Sequence, residues 1–275
     1  MKPGQVSVTA QRVAAHRLTF DRVAAPYGDA AADTALARDV AAATSVAPGP
    51  MREYLRARTR FFDGVVTRAL SRGFAQIVTG AAGYDGRSLR YARPGVLWFE
   101  VDHPATQQRK RALLAAARLA EPPTLTWVPV DFETGELIAA LTAAGLDPAA
   151  PAFVSWLGVT MYLTAEAIGA TLASLSRLAP GSELVTDYML TADLRDADGV
   201  AYADLVMPDS ERRGEPWLSF FTPEQMTGLL TSHGFTGVRD VRQRDAVSAA
   251  LWERTDLLRP IELSRLCHAT VGAGG

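Results

Sequence analysis

An α/β fold built on a parallel sheet is what this sequence predicts, and three observations carry the prediction. Short apolar runs recur at 76–79, 96–101, 125–130, 152–157 and 182–188. Helix-patterned stretches of roughly 10 to 16 residues lie between them, the spacing of parallel strands joined by crossover helices. The first run breaks directly into a glycine-rich turn, Gly80-Ala81-Ala82-Gly83-Tyr84-Asp85-Gly86. Small residues are needed there if a ligand is to approach the backbone at the end of a strand.

Taken in order, residues 9–24 and 33–47 are alanine-rich and helical in pattern, divided by the turn-like Pro26-Tyr27-Gly28-Asp29, and are expected to form a cap. A longer helix follows, because Tyr54, Leu55, Arg58, Phe61, Phe62, Val65, Val66, Ala69 and Leu70 recur at steps of three and four, with Gly73 placed to stop it. Pro104 suits a first helical position, Thr164 a cap before Ala165-Glu166, and Thr222-Pro223-Glu224-Gln225 a capping box. After Tyr188 the alternation fails. Residues 189–221 carry Asp193, Asp196, Asp198, Arg212 and Arg213 and end in Trp217, Phe220 and Phe221. Ligands in open α/β sheets bind at the strand ends, so this insertion reads as a lid. A solvated excursion stapled down by its aromatics is the competing reading. Runs at 236–242 and 261–270 bring the strands to about seven. The expected organisation is a single domain over 1–275, with a cap (1–60) and a lid (189–221) over a core of 61–188 plus 222–275.

With 275 residues, 48% of them hydrophobic, the chain is long enough for one substantial core. Its 28 basic and 30 acidic residues leave no global field to attract nucleic acid or an anionic membrane, which points to a small-molecule partner. Cys267 is the lone cysteine, so neither an intrachain disulfide nor a cysteine metal cluster is expected. His16, His103, His233 and His268 are scattered without ligand spacing, and no metal is expected. An 18-residue apolar stretch and a cleavable leader are both lacking, from which a soluble, cytoplasmic protein is expected. Oligomeric state is not readable.

The turn's glycines, at 80, 83 and 86, depart from the Gly-x-Gly-x-x-Gly that cradles a pyrophosphate, which favours a nucleotide-type cofactor without phosphates. On the glycines alone an ordinary strand-to-helix turn is an equal reading. What tips the balance is the acid downstream: Glu100 lies twenty positions after Gly80 and Asp102 two further, where a carboxylate accepts hydrogen bonds from a ribose.

Five segments then carry a resemblance: Arg58-x-Arg60-Phe61-Phe62-Asp63, Gly83-Tyr84-Asp85-Gly86-Arg87-x-x-Arg90, Phe99-Glu100-Val101-Asp102-His103-Pro104, Val128-Pro129-Val130-Asp131-Phe132 and Gly158-Val159-x-x-Tyr162-Leu163. Together with Thr9-Ala10-Gln11-Arg12-Val13-Ala14-Ala15-His16-Arg17, this series resembles the leucine carboxyl methyltransferase family, and within it the actinobacterial branch of tetracenomycin-type polyketide O-methyltransferases. The resemblance implies a class I S-adenosylmethionine-dependent methyltransferase whose seven-stranded sheet ends in an antiparallel strand.

Carried over residue by residue, the resemblance implies that Arg58 holds the methionine carboxylate of the cofactor and that Gly80, Ala81, Ala82 and Gly83 pass beneath its amino-acid part. Asp102, or alternatively Glu100, takes the ribose hydroxyls. Asp131 accepts from the adenine amino group, and Phe132 offers its backbone amide. Each role is chemically natural, since a guanidinium pairs bidentately with a carboxylate and carboxylates accept from hydroxyl and amino groups. Read singly, Arg58, Arg60 and Asp63 are better taken as surface partners on a helix, and Asp131 as a helix cap. Asp85 is expected to cap the helix containing Leu89, and Asp63 to form an ion pair.

Two departures stand out. Ala81 occupies the place of a family glycine, and Leu157, before Gly158, that of a glutamate found in many relatives; the basic residue that some relatives carry in the first helix is Gln11 here. The expected reaction is in-line methyl transfer to a carboxylate of a small aromatic or polyketide-like acid, because a carboxylate needs no base at neutral pH. Trp156, Leu157, Val159 and Tyr162 would face a flat substrate, with Tyr27, Tyr54, Trp217 and Phe220 as further wall, although core packing accounts equally for several of these. Arg60 or Arg12 would orient the acid group. Should the acceptor be a phenol, His103 and Tyr162 are the candidate bases. The alternatives are phenolic O-methylation, a non-methylating S-adenosylmethionine-binding protein, and a nicotinamide-dependent oxidoreductase, which leaves Asp131 without a role.

Overall fold

The apolar runs form strands β1 (Gln76–Gly80), β2 (Leu97–Asp102), β3 (Leu125–Pro129), β4 (Phe153–Trp156), β5 (Glu183–Met189), β6 (Phe235–Arg242) and β7 (Ser264–Val271). They join in one sheet of order β3-β2-β1-β4-β5-β7-β6, in which β7 runs antiparallel to both of its neighbours. The structure is a computed structural model that describes residues 8–42, 50–132, 136–248 and 261–273. Every residue of β1 and of β5 is buried, as expected for strands covered on both faces. From β1 the chain winds outward through β2 to β3, then returns to place β4 and β5 on the other side. That reversal opens a crevice beyond the ends of β1 and β4, the place where such sheets bind ligands.

The described helices are α1 (Val8–Arg17), α2 (Ala30–Ala41), α3 (Pro50–Ser71), α4 (Arg87–Arg90), α5 (Pro104–Ala116), α6 (Leu137–Ala143), α7 (Ala165–Leu175), α8 (Ala197–Arg212) and α9 (Pro223–Ser232). The signals at helix starts behave as their chemistry requires. Pro104 opens α5, Thr164 accepts from the Ala167 amide, and Thr222 with Gln225 closes a capping box. At the end of α3, Gly73 takes φ 92°, a left-handed conformation that glycine adopts without steric cost.

Three boundaries differ from the sequence expectation. The first helix stops at Arg17 rather than 24, because Arg22 is drawn out of helical geometry to Asp63, with Nε–Oδ2 at 2.7 Å and Nη2–Oδ1 at 2.9 Å. The second begins at Ala30, where Asp29 accepts from the Ala32 amide at 2.8 Å; its expected extension over 43–47 lies outside the described residues. The last strand starts at Ser264 rather than 261, since Ile261 and Leu263 pack instead with Tyr54, Met189 and Tyr202. The polar insertion is not an irregular excursion. About half of it is α8, capped by Asp196 on the Gly199 amide at 2.7 Å and burying Tyr202 and Ala203.

Below the glycine turn lies a buried ionic network. Asp63 pairs with Arg22 and, at 2.8 Å, with Arg87; Arg87 also pairs with Asp85, and Asp33 with Arg22 and Arg90. The carboxylate of Asp85 accepts from the Arg87 amide at 2.9 Å, but the N-cap position of α4 is held by Gly86, so Asp85 braces the helix start from one residue before the cap expected of it. These pairs tie α2, α3 and α4 together where an alanine-rich cap offers little apolar area of its own.

Candidate active site

Parallel pairing of β1 with β2 aligns Thr79 with Glu100 and Gly80 with Val101, so the turn after β1 passes beside the end of β2. There Asp102 Oδ2 accepts from the Gly83 amide at 2.6 Å and Oδ1 from the His103 amide at 2.6 Å. The carboxylate therefore fixes the turn as well as facing the space above it. Burial pushes the Asp102 pKa up, against the two amides that favour its charged form. Within the turn, Ala81 takes φ 51° and Gly83 φ 50°. The left-handed conformation at 81 is one that glycine adopts without steric cost and that an L-residue adopts only under strain. Gly80 is fixed by packing, because a Cβ there would lie 2.9 Å from Trp156 Cδ1.

A cavity of about 550 Å³ opens above this turn. Its inner half is lined by residues 79–85, Asp102, His103, Thr106, residues 130–132, Arg58 and residues 157–159. Arg58, buried on α3, donates from Nη1 to Asp187 Oδ2 at 3.0 Å, while Asp187 Oδ1 accepts from the Gly158 amide at 2.6 Å. Arg58 Nε is buried without a hydrogen-bond partner, a donor at the cavity edge that a bound anion would satisfy. The outer half is walled by α1 through Thr9, Arg12 and Val13, by Tyr54, by Met161 and Tyr162, by Tyr202 and Val206 of α8, and by residues 213–218. Burial raises the pKa of Tyr54, Tyr162 and Tyr202, so their hydroxyls stay neutral.

The cavity thus brings together Arg58, Gly80, Ala81, Ala82, Gly83, Asp102, Asp131, Phe132, His103, Tyr162, Trp217, Tyr54 and Arg12. It leaves out five side chains expected at the site. Glu100 is turned inward, at hydrogen-bond distance from Ser88 Oγ and 2.5 Å from Lys110 Nζ, so of the two acids only Asp102 lines the cavity. Trp156 sits beneath Gly80 with its ring 5.9 Å from that of Phe132, below the cavity floor. Arg60 lies two residues after Arg58 on α3, hence on another face, and donates to the Asp21 carbonyl at 3.2 Å. Phe220 packs behind Trp217, with the Arg195 guanidinium 5.1 Å over its ring. Tyr27 packs away from the cavity, beneath the Arg93 guanidinium at 5.5 Å. His103 lines the cavity but is also the cap of α5, its Nδ1 accepting from the Ala105 amide at 3.2 Å.

Sequence reasoning assigned no site role to Asp187, Tyr202, Arg17, Thr9 and Glu215, all of which line or support the cavity. Asp187 carries a sequence signal, a carboxylate in the middle of the run Glu183–Met189, and Thr9 and Arg17 bound the N-terminal segment that carries the resemblance; Tyr202 and Glu215 gain their place only through tertiary packing. Among the described residues no cluster of three or more His, Cys, Asp or Glu is placed to hold a metal, and no helix is long and apolar enough to cross a membrane.

Residues 6–176 match the model of the leucine carboxyl methyltransferase family. A candidate S-adenosyl-L-methionine-dependent methyltransferase of Bacillus subtilis (strain 168) is 32% identical over 217 residues, covering 78% of this chain and 71% of the relative. One from Parafrankia sp. (strain EAN1pec) is 35% identical over 222 residues, 77% of this chain and 64% of the relative. One from Mycobacterium avium (strain 104) is 35% identical over 151 residues, 54% of this chain and 49% of the relative. The chain spans between about half and two thirds of the length of these last two relatives. Among solved structures, a candidate methyltransferase from Thermobifida fusca YX superposes with TM-score 0.59 at 18% identity, covering 99% of this chain and 97% of that one. At this identity the likeness speaks to the fold.

Proposed function

The chain belongs to the leucine carboxyl methyltransferase family, and from that premise we propose that it transfers a methyl group from S-adenosylmethionine to a carboxylate of a small aromatic or polyketide-like acid, giving a methyl ester. The observation that carries the reading is the continuous cavity joining the turn after β1 to an aromatic-walled chamber under α1 and α8. The residues of its inner half fit this cofactor. Arg58, with its unpaired Nε, would receive the amino-acid carboxylate, Asp102 the ribose hydroxyls and Asp131 the adenine amino group. When bound, the cofactor supplies a methyl group already activated by a positively charged sulfur.

What remains for the protein is alignment and exclusion of water. Asp102 holds the turn through Gly83, and Asp187 holds Arg58 and Gly158 in fixed relation. Leu157 and Val159 add apolar surface to the cavity that Arg58 also lines. Tyr54, Tyr162, Tyr202 and Trp217 offer flat faces to an aromatic acceptor. The protonation state of these groups favours a carboxylate: the tyrosines are held neutral and His103 Nδ1 is engaged in capping, whereas a carboxylic acid arrives ionised.

A phenolic acceptor is the second reading, and Glu215 is the observation that favours it, being a carboxylate on the acceptor side able to receive a proton. Incubation with methyl-labelled cofactor and acceptors differing only in carboxyl or phenol, followed by mild alkali, separates the two. Label released as methanol supports the ester; label retained as an aryl ether moves the reaction to the phenol. Cofactor binding without methylation of either would point to a non-methylating binding protein.

A further inference from the structure

Glu215 is built into the cavity wall with unusual firmness. Its backbone is bracketed by one residue, since its amide donates to the Ser210 carbonyl at 2.9 Å and its carbonyl accepts from Ser210 Oγ. Its side chain is buried, the residue being 9% exposed, with Oε2 accepting from Thr9 Oγ1 of α1 at 2.6 Å. No basic side chain among the described residues pairs with it. The two arginines of the same rim are committed elsewhere: Arg12 Nη1 lies 3.1 Å and Arg213 Nη2 2.6 Å from Asp209. A carboxylate this buried is costly unless hydrogen-bonded or paired, and one neutral hydroxyl leaves its second oxygen to be satisfied from the cavity.

Resting on the methyl-transfer reading above, we propose that Glu215 is a specificity-determining residue that recognises a hydrogen-bond donor on the methyl acceptor, an ammonium in preference to a hydroxyl. The formal charges agree. Arg12 and Arg213 balance Asp209 and Glu215, so the outer chamber is neutral as a whole while carrying both signs, a match for an acceptor that is itself zwitterionic. The carboxylate to be methylated points toward the inner half, and the donor group, at the other end of the aromatic body, reaches Glu215 beside Thr9 and Tyr162.

The test uses benzoate, 4-hydroxybenzoate and 4-(aminomethyl)benzoate as probes, with affinity read by calorimetry in the presence of S-adenosylhomocysteine and methylation read separately from labelled cofactor. The full chain should bind the aminomethyl compound at least about tenfold more tightly than benzoate, the scale of a hydrogen bond to a charged group. Glu215→Gln keeps the size and the Thr9 contact and should bring the two affinities together, with S-adenosylhomocysteine affinity unchanged as the check on folding. Equal binding of all three probes by the unsubstituted chain, or a preference that survives E215Q, overturns the role of Glu215 and leaves methyl transfer standing. Failure of every probe to bind, while the cofactor product does, overturns both Glu215 recognition and the aromatic-acid class. Failure of the cofactor product itself to bind would sink the methyl-transfer reading.

Discussion

At the scale of single residues, Asp102 joins two functions that a sequence shows only as one. It is legible as an acid after a strand, twenty-two positions beyond Gly80, but its hold on the Gly83 amide is visible only in three dimensions. Asp102→Ala should weaken S-adenosylhomocysteine binding by about 1.5–3 kcal/mol, roughly ten- to a hundredfold, measured by calorimetry on the folded variant. Unchanged affinity would remove Asp102 from the site. Because burial raises its pKa, cofactor affinity should be flat at neutral pH and fall as pH drops through a value above the usual carboxylate range, since the protonated acid accepts less well. Asp102→Asn should bind weakly without that acid limb. Ala81 tests the turn from the other side. Its φ of 51° costs an L-residue roughly 1–2 kcal/mol, so Ala81→Gly should raise the denaturant midpoint or at least leave it unchanged, despite glycine's greater unfolded entropy. A clear loss of stability would show that the alanine methyl contributes packing that outweighs the strain.

At the scale of elements, the central strands were more legible than the cap because β1, β4 and β5 are short runs set by burial on both faces. The first helix was overextended for a specific reason: alanine-rich sequence continues the helical pattern past Arg17, and nothing local announces that Arg22 belongs to Asp63. The insertion was recognised by the failure of alternation, yet α8 inside it was not, since its buried face comes down to a few residues such as Tyr202 and Ala203. The ionic network sets the stability expected of the cap. Removing one partner from a buried cluster strands the others, so Asp63→Asn should cost roughly 3–5 kcal/mol in denaturant unfolding. Burial tends to raise the pKa of Asp63, but Arg22 and Arg87 overcome it and hold it below the ordinary range; Asp85 is likewise depressed against its burial, by Arg87 and Arg17. Their contribution is therefore complete above a pH of about 4 and lost as pH falls from there toward the lower folded-state values. D63N should show a shallower acid loss, and an acid limb identical to that of the unsubstituted chain would place the linkage elsewhere. Trp217→Ala separates wall from scaffold at the other end of the cavity: acceptor affinity should fall while cofactor affinity holds, and equal loss of both would make Trp217 a packing residue only.

On the scale of the whole molecule, the site is a product of topology. The reversal of strand order between β1 and β4 opens the crevice, the turn and Asp102 furnish one wall, and α1, α8 and residues 213–218, distant in sequence, furnish the other. The strand-edge half was legible because its residues follow strands at fixed offsets, whereas the outer half assembles from segments that share no pattern. A ligand in the inner half should accordingly stabilise segments far beyond those that touch it. At a concentration a hundredfold above its dissociation constant, S-adenosylhomocysteine should add about 2.7 kcal/mol to the folded state. For a chain of this size that corresponds to a rise in thermal midpoint of roughly 5–10 °C. Hydrogen exchange locates the gain. Residues 80–86 should slow because the turn is covered directly, and α1 and residues 213–218 should slow with them, since they close over the same cavity and lose their freedom to open when it is filled. A shifted midpoint with protection confined to the turn would mean that cap and insertion respond only to the acceptor, and no shift in midpoint would remove the cofactor from the cavity altogether.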